Sequence, residues 1–188
     1  LGMQSEIQAL AKRIKQVSED AKASFVGLSI EQLNWKVNPK SWSIAQCLDH
    51  LMTTNELYLP ILAAIDTDTV PHNFFSRFRI LSGYFGSLLR RTLGPEVVRK
   101  AKSPSNFQPS QSDLGGDVLA RFLAHQERVL HAYTSLPEAD LSQIIMISPA
   151  ASFVTYSIED ALHILVGHEE RHLLQAKRVM EETSFPAR

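Results

Sequence analysis

YSIEDALHILVGHEERHLLQAKRVM, residues 156–180, reads as one unbroken helix with an apolar seam. At roughly 100° per residue, Ile158, Ala161, Leu165, His168, His172, Gln175 and Val179 share that seam, spaced by alternating threes and fours. Ser157, with Asp160 three residues on, resembles a capping box that satisfies free amide donors of the first turn. Nothing breaks the run before Thr183. Side chains four apart on a helix have Cβ atoms about 6 Å apart, so His168 and His172 can share one cation. Polar groups in a seam cost free energy unless they have partners. A third ligand from another helix would supply the reason for placing them there.

The chain has 188 residues, 44% hydrophobic and 21% charged. That is enough for the core of one globular domain, expected over residues 3–182. Leu1 and Gly2 precede Met3 and stand outside that reading. Lys and Arg total 19 against 20 Asp and Glu, for a net charge of −1, which gives no overall drive toward nucleic acid. Cys47 is the only cysteine; no internal disulfide can form, and the composition suits a reducing compartment. No stretch approaches the roughly 20 apolar residues of a membrane span. The residues after Met3 lack the basic-then-apolar order of a signal peptide, so a cytoplasmic protein is expected.

Three more long helices are readable outside the seam. From Met3 to about Leu28, Ile7, Leu10, Ile14, Val17, Ala21, Phe25 and Leu28 keep three-four spacing, with Gly27 near the end. Asn34 to Ser41, with Pro39, reads as a loop. A second helix opens at Ser43, where Gln46 completes a capping box, and runs to about Ile65 with Pro60 expected to kink it. His50 sits beside its apolar stripe, where it can point into a bundle. A third runs from about Asp113 to Ser135, and Pro137 ends it. Leu141 to Phe153 reads as an ordered loop with an apolar run, Ile144 to Ile147, that an extended conformation would suit.

Between Asp66 and Asp113 lies a long connection punctuated by Pro71, Gly94, Pro95, Pro104 and Pro109. Within it Phe74, Phe78, Leu81, Phe85 and Leu88 line one face of an additional helix. Phe74 to Lys102 holds seven basic residues against the single acid Glu96. A membrane-surface or partner-binding segment is one reading; a helix packed over one side of the domain, with solvated arginines, is the simpler one. Ser103 to Ser112 reads as loop. Four long helices with one connection of over 40 residues predict an all-α four-helix bundle. The crossover between the second and third main helices is long enough to make them parallel.

His50, His168 and His172 together form a candidate metal set. Three protein ligands that leave a position open to water are the catalytic rather than the structural arrangement for zinc, and bundle cores are common places for such sites. The alternative is that all three are satisfied core or surface histidines.

Trp42-Ser43-Ile44 followed by His50-Leu51, then a proline-broken middle, then Tyr156-Ser157-Ile158 and His168-Glu-Glu-Arg-His172-Leu-Leu-Gln175, resembles the DinB-like superfamily of metal-binding four-helix bundles, which includes bacillithiol S-transferases. The similarity spans Met3 to Met180 and is weakest over Phe74 to Lys102. The resemblance implies an up-down-down-up bundle and a divalent ion, zinc or nickel, held by His50, His168 and His172.

His168 to His172 also satisfies H-E-x-x-H, where Glu169 would serve as the general base of a metalloprotease. The extended pattern wants Gly and His where Gln175 and Arg178 stand, and only 16 residues follow His172. A solvated Glu169 is the simpler reading. Cys47 is expected to be a small buried hydrophobe, His125 a core histidine, and Gln175 a hydrogen-bond partner for a ligating imidazole. His72, His131 and His163 fall off the inferred site.

Three functions fit these residues. The leading one is a metal-dependent S-transferase activating a small thiol such as bacillithiol. The others are a hydrolase using a metal-bound water, and a non-enzymatic metal-binding bundle. The expected partners are a small-molecule substrate and a second copy in a homodimer docking through the aromatics of Phe74 to Leu89, with no nucleic acid and no membrane.

Overall fold

α1 (Met3–Phe25) buries Ile7, Leu10, Ile14, Val17 and Phe25 along one stripe. It ends before Leu28 because Gly27 takes a φ of +82°, a conformation open to glycine and to few other residues. This computed structural model describes residues 2–66, 68–94, 107–110 and 113–187. Ser29 opens α2 (Ile30–Asn34) with a full capping box to Gln32, and Ser43 opens α3 (Ile44–Ala63) in the same way with Gln46. Pro60 removes one backbone bond inside α3, and the helix stops at Ala63.

A 3₁₀ turn at Phe75–Arg77 leads into α4 (Arg79–Leu93). α5 (Val118–Thr134) starts later than its apolar pattern suggests, with Asp117 at its N-cap. Gly115 and Gly116 come just before, and glycine is a poor helix former. The loop after α5 contains a small hairpin: β1 (Ile145–Ile147) pairs antiparallel with β2 (Thr155–Ser157), Met146 facing Tyr156. β2 runs straight into α6 (Ile158–Met180). Ser157 belongs to both, since its Oγ accepts from the Asp160 amide at 3.0 Å and donates to Asp160 Oδ2 at 2.9 Å.

α1 and α3 each pack against α5 and α6, and side-chain pairs fix the directions. Glu6 meets His163, Arg13 meets Glu170 and Asp20 meets Lys177; both partners advance by seven each time, so α1 and α6 are parallel. His50 meets His168 while Tyr58 meets Tyr156, so α3 runs against α6. Glu56 meets Arg128, and farther along both helices Leu62 and Ala63 share a concavity with His131 and Ser135, so α5 runs with α3. The four main helices therefore run up, down, down, up, as the long crossover requires.

α4 rides on the crossover and packs on α6 and β2, but not with its expected face. Ser82 and Gly86 point inward, while Phe74, Phe78, Leu81 and Leu88 are exposed. Small residues let α4 approach closely: a Cβ on Gly86 would come within 2.1 Å of Asp160 Oδ2. Glu96, Arg99, Lys100 and Lys102, and most of the loop 103–112, lie outside the described residues. Among the described residues, no helix is long and apolar enough to cross a membrane.

The core divides into two apolar clusters. One holds Ile14, Tyr58, Val129 and Leu165, the other Val17, Leu51, Phe122 and Leu173. Between them in chain order come Thr54 and Asn55 of α3, His125 and Gln126 of α5, and His168 and Glu169 of α6, all but His168 fully buried. A polar layer thus crosses the bundle, and three of its four main helices supply it.

Candidate metal centre

The site forms where the first half of α3 faces the second half of α6. The seam spacing in α6 sets His168 and His172 one turn apart on the face toward α3, and the Ser43 cap fixes the phase of α3 so that His50 meets them. Ring centroids of His50 and His168 lie 4.9 Å apart, and each lies 4.4 Å from that of His172. One ring nitrogen from each histidine lies within 4.8 Å of the other two. His50 Nε2 and His168 Nε2 are 3.1 Å apart.

The crossover returns over this site and is held there by two adjacent residues of α3. His50 Nδ1 donates to the Phe107 carbonyl, which only a protonated Nδ1 can do. In the neutral ring Nε2 then carries the lone pair, and it faces the other histidines. Asp49 Oδ2 accepts from the Ser110 amide at 2.6 Å and its hydroxyl at 2.8 Å. Trp42 closes one side, its ring 4.7 Å from His50 and stacked on His172 at 5.6 Å with 30° between the planes.

Burial dominates the electrostatics. It pushes His50 down to about 4, with the Phe107 carbonyl and Asp49 pulling the other way. Burial also holds His172 at about 3, helped by His50 and Arg171 and opposed by Gln175. His168 falls well below the usual histidine range for the same first reason, then through His172 and His50. All three are neutral imidazoles at physiological pH, the form that ligates a metal.

A divalent ion fits this arrangement. Adjacent nitrogens each about 2.1 Å from one ion are roughly 3.0 to 3.4 Å apart for angles from 90° to tetrahedral, which brackets the observed 3.1 Å. A backbone carbonyl behind the distal nitrogen is the usual outer support of a ligating histidine, and Phe107 supplies it. His168 Nδ1 and His172 Nδ1 are buried with no hydrogen-bond partner among the described residues. The His50 Nε2 lone pair faces His168 Nε2, a place that a shared cation suits.

Glu169 departs from its expected solvated place: it is 1% exposed. One residue past His168 on the helix, it turns into the polar layer, where Oε1 accepts from Asn55 at 2.7 Å and Gln126 at 2.9 Å. Burial raises its carboxyl to about 7, against the pull of those two amides. Oε1 is committed to α3 and α5, Oε2 has no hydrogen-bond partner among the described residues, and Glu169 does not join the three histidines in their cluster. Cys47 is fully buried and burial pushes its thiol to about 12, as a small hydrophobe should behave. His125 pairs with Glu56 at 3.3 Å rather than joining the cluster. His163 bonds Glu6, and His72 and His131 stand apart from the three. Asp49, Phe107, Asn55 and Gln126 have no individual sequence signal, since an amide or a carboxylate in a helix is ordinary by itself, and Trp42, which opens the family motif, carries no sign there that its ring walls the site.

The uncharacterized protein YuaE of Bacillus subtilis (strain 168) is 26% identical over 159 residues, covering 83% of this chain and 88% of YuaE. No solved structure matches the chain. The family profile of the DinB superfamily matches residues 13–176, a span that takes in all three histidines and the helices that carry them. With the up-down-down-up helix order, this chain belongs to the DinB superfamily.

Proposed function

We propose that the protein is a divalent-metal-dependent S-transferase that joins a low-molecular-weight thiol, such as bacillithiol, to a small electrophilic substrate. The observation that carries this reading is the convergence of His50, His168 and His172 as neutral imidazoles on one point of the α3–α6 seam, His50 buried and the other two half-buried. Zinc or nickel held there would supply Lewis acidity, which keeps a bound thiol deprotonated at neutral pH.

The chain's own residues do the rest. Because the three imidazoles are neutral, they leave the ion's double charge uncompensated, which favours an anionic sulfur over a neutral ligand. The Phe107 carbonyl holds the His50 ring in one tautomer and orientation, so no reorganisation is needed when the thiol arrives. Trp42 excludes water from one side and presents an apolar wall to the electrophile. Since the chain's own thiol, Cys47, is buried and protonated, the nucleophile has to come from outside. Sulfur attacks the electrophilic carbon, the leaving group departs with its electron pair, and the thiol proton passes to solvent.

The test is conjugation of cellular thiols to an activated aryl halide by protein loaded with zinc or nickel. A metal-dependent rate that falls by about 10² in His168→Ala supports the reading, while no metal-dependent rate with any cellular thiol overturns it. Glu169→Gln keeps that rate, because Gln can offer one oxygen to Asn55 and Gln126. If the rate instead collapses with metal content unchanged, Glu169 acts as a base, and hydrolysis through an activated water becomes the better account.

A further inference from the structure

The aromatic segment left facing outward is unabsorbed by the metal site. Its orientation is enforced rather than incidental. Ser82 Oγ bonds Thr155 Oγ1 at 2.8 Å, and Gly86 lies against Asp160 with no room for a side chain. With these small residues locked inward, Phe74, Phe78, Ile80, Leu81, Tyr84 and Leu88 project outward, Ile80 at 93% exposure. Contiguous exposed apolar surface of this kind marks an interaction face.

Charge says what kind. From Thr69 to Gly94 the chain has four arginines and no acid. Arg79 is held by Gln143 and Arg90 by Asp160. Arg77 and Arg91 are exposed and form no ion pair among the described residues. Beside Phe74 a surface concavity of about 560 Å³ is lined by His72, Asn73, Phe74, Ser76 and Arg77, polar donors and a guanidinium suited to a phosphate group. A second copy docked through this face by twofold symmetry would set one acid-free, arginine-bearing segment against another, which like-charge repulsion opposes. An anionic bilayer offers both complements at once: phosphates for the arginines, and an acyl boundary for Ile80 and the rings.

We propose that the 3₁₀ turn and α4 form a docking face for an anionic lipid bilayer, with Phe74, Phe78, Ile80 and Tyr84 entering the interface. Arg77 and Arg91 pair with headgroup phosphates. The protein lies on the membrane without crossing it, and this assignment does not depend on the metal site or its chemistry.

Cosedimentation of the full chain with phosphatidylcholine vesicles, with and without phosphatidylglycerol, tests it. Binding is expected only with phosphatidylglycerol, weakening as salt rises. Ile80→Asp abolishes it; Arg77→Gln with Arg91→Gln weakens it roughly 30-fold, about fivefold per charge. Both variants alter exposed side chains, and unchanged helical circular dichroism verifies their fold. No sedimentation with anionic vesicles, equal sedimentation with neutral ones, or binding indifferent to Ile80→Asp overturns the proposal. Sedimentation velocity on the same samples reads the competing occupant: a dimer that Ile80→Asp dissociates, with no vesicle binding, gives the face to a second copy.

Discussion

At the scale of single residues, the histidine cluster depends on side chains outside it. Asp49 and His50 are neighbours on α3, and each holds one end of the segment from Phe107 to Ser110. Asp49→Ala frees Ser110 and with it the carbonyl that orients the His50 ring. Metal affinity is expected to fall by about 10-fold or more, measured by competition with a chromogenic chelator. Asp49→Asn restores it, because one amide oxygen can accept both Ser110 donors; equal loss in both variants would mean that the carboxylate's charge, not its grip on the loop, matters. Cys47 gives a simpler check. With its thiol near 12, only about one molecule in 10⁴ carries a thiolate at pH 8, and the side chain has no exposure. Thiol reagents should label it only after denaturation. Labelling of the native protein at the rate of a free thiol would put Cys47 at a surface.

At the scale of helices, two devices set the register in which the histidines meet. Serine caps fix where α3 and α6 begin. A ladder of three pairs, each seven residues from the last, fixes how α1 lies along α6. Arg13 makes the strongest rung, a two-bonded contact with Glu170 at 2.7 and 2.8 Å. Because Arg13 is 42% exposed, a double-mutant cycle with alanine at both positions should give a coupling of only about 0.5–1 kcal/mol. Urea unfolding measures it, and added salt should reduce it; a coupling of zero at low salt would reduce the ladder to a coincidence of spacing. Helical periodicity and caps were legible in the sequence because both are local. The facing of α4 was not. Its large residues suggest an inward stripe, yet close approach to Asp160 favours Ser82 and Gly86, a preference visible only once β2 and α6 are in place. The burial of Glu169 is hidden from the sequence for a similar reason. A glutamate on a wheel looks solvated until Asn55 and Gln126 arrive from two other helices.

At the scale of the whole molecule, the bundle has an apolar cluster on each side of a polar layer. Such a layer costs free energy unless its groups are partnered. Tyr58 and Tyr156 satisfy each other at 2.7 Å and Tyr133 donates to the Leu162 carbonyl, but the histidine cluster keeps two buried nitrogens without partners among the described residues. An ion that binds only the folded arrangement of the three histidines should stabilise the fold as well as complete the site. At a free concentration 100 times its dissociation constant, the gain is about 2.7 kcal/mol, or roughly 5–10 °C in melting temperature for a chain of this size. The three histidines that cluster were legible in the sequence as a spacing and an order along the chain. The Phe107 carbonyl and the stacking of Trp42 were not, because backbone groups and ring contacts leave no residue pattern.

The central claim is that His50, His168 and His172 hold one ion together. Elemental analysis of the protein purified without added metal, set beside melting curves before and after chelation, tests it most directly. One equivalent of zinc or nickel per chain, lost together with the thermal stabilisation in His168→Ala, is the predicted result. A chain free of metal after saturation with either ion, or one whose bound metal and melting temperature survive His168→Ala, would contradict it.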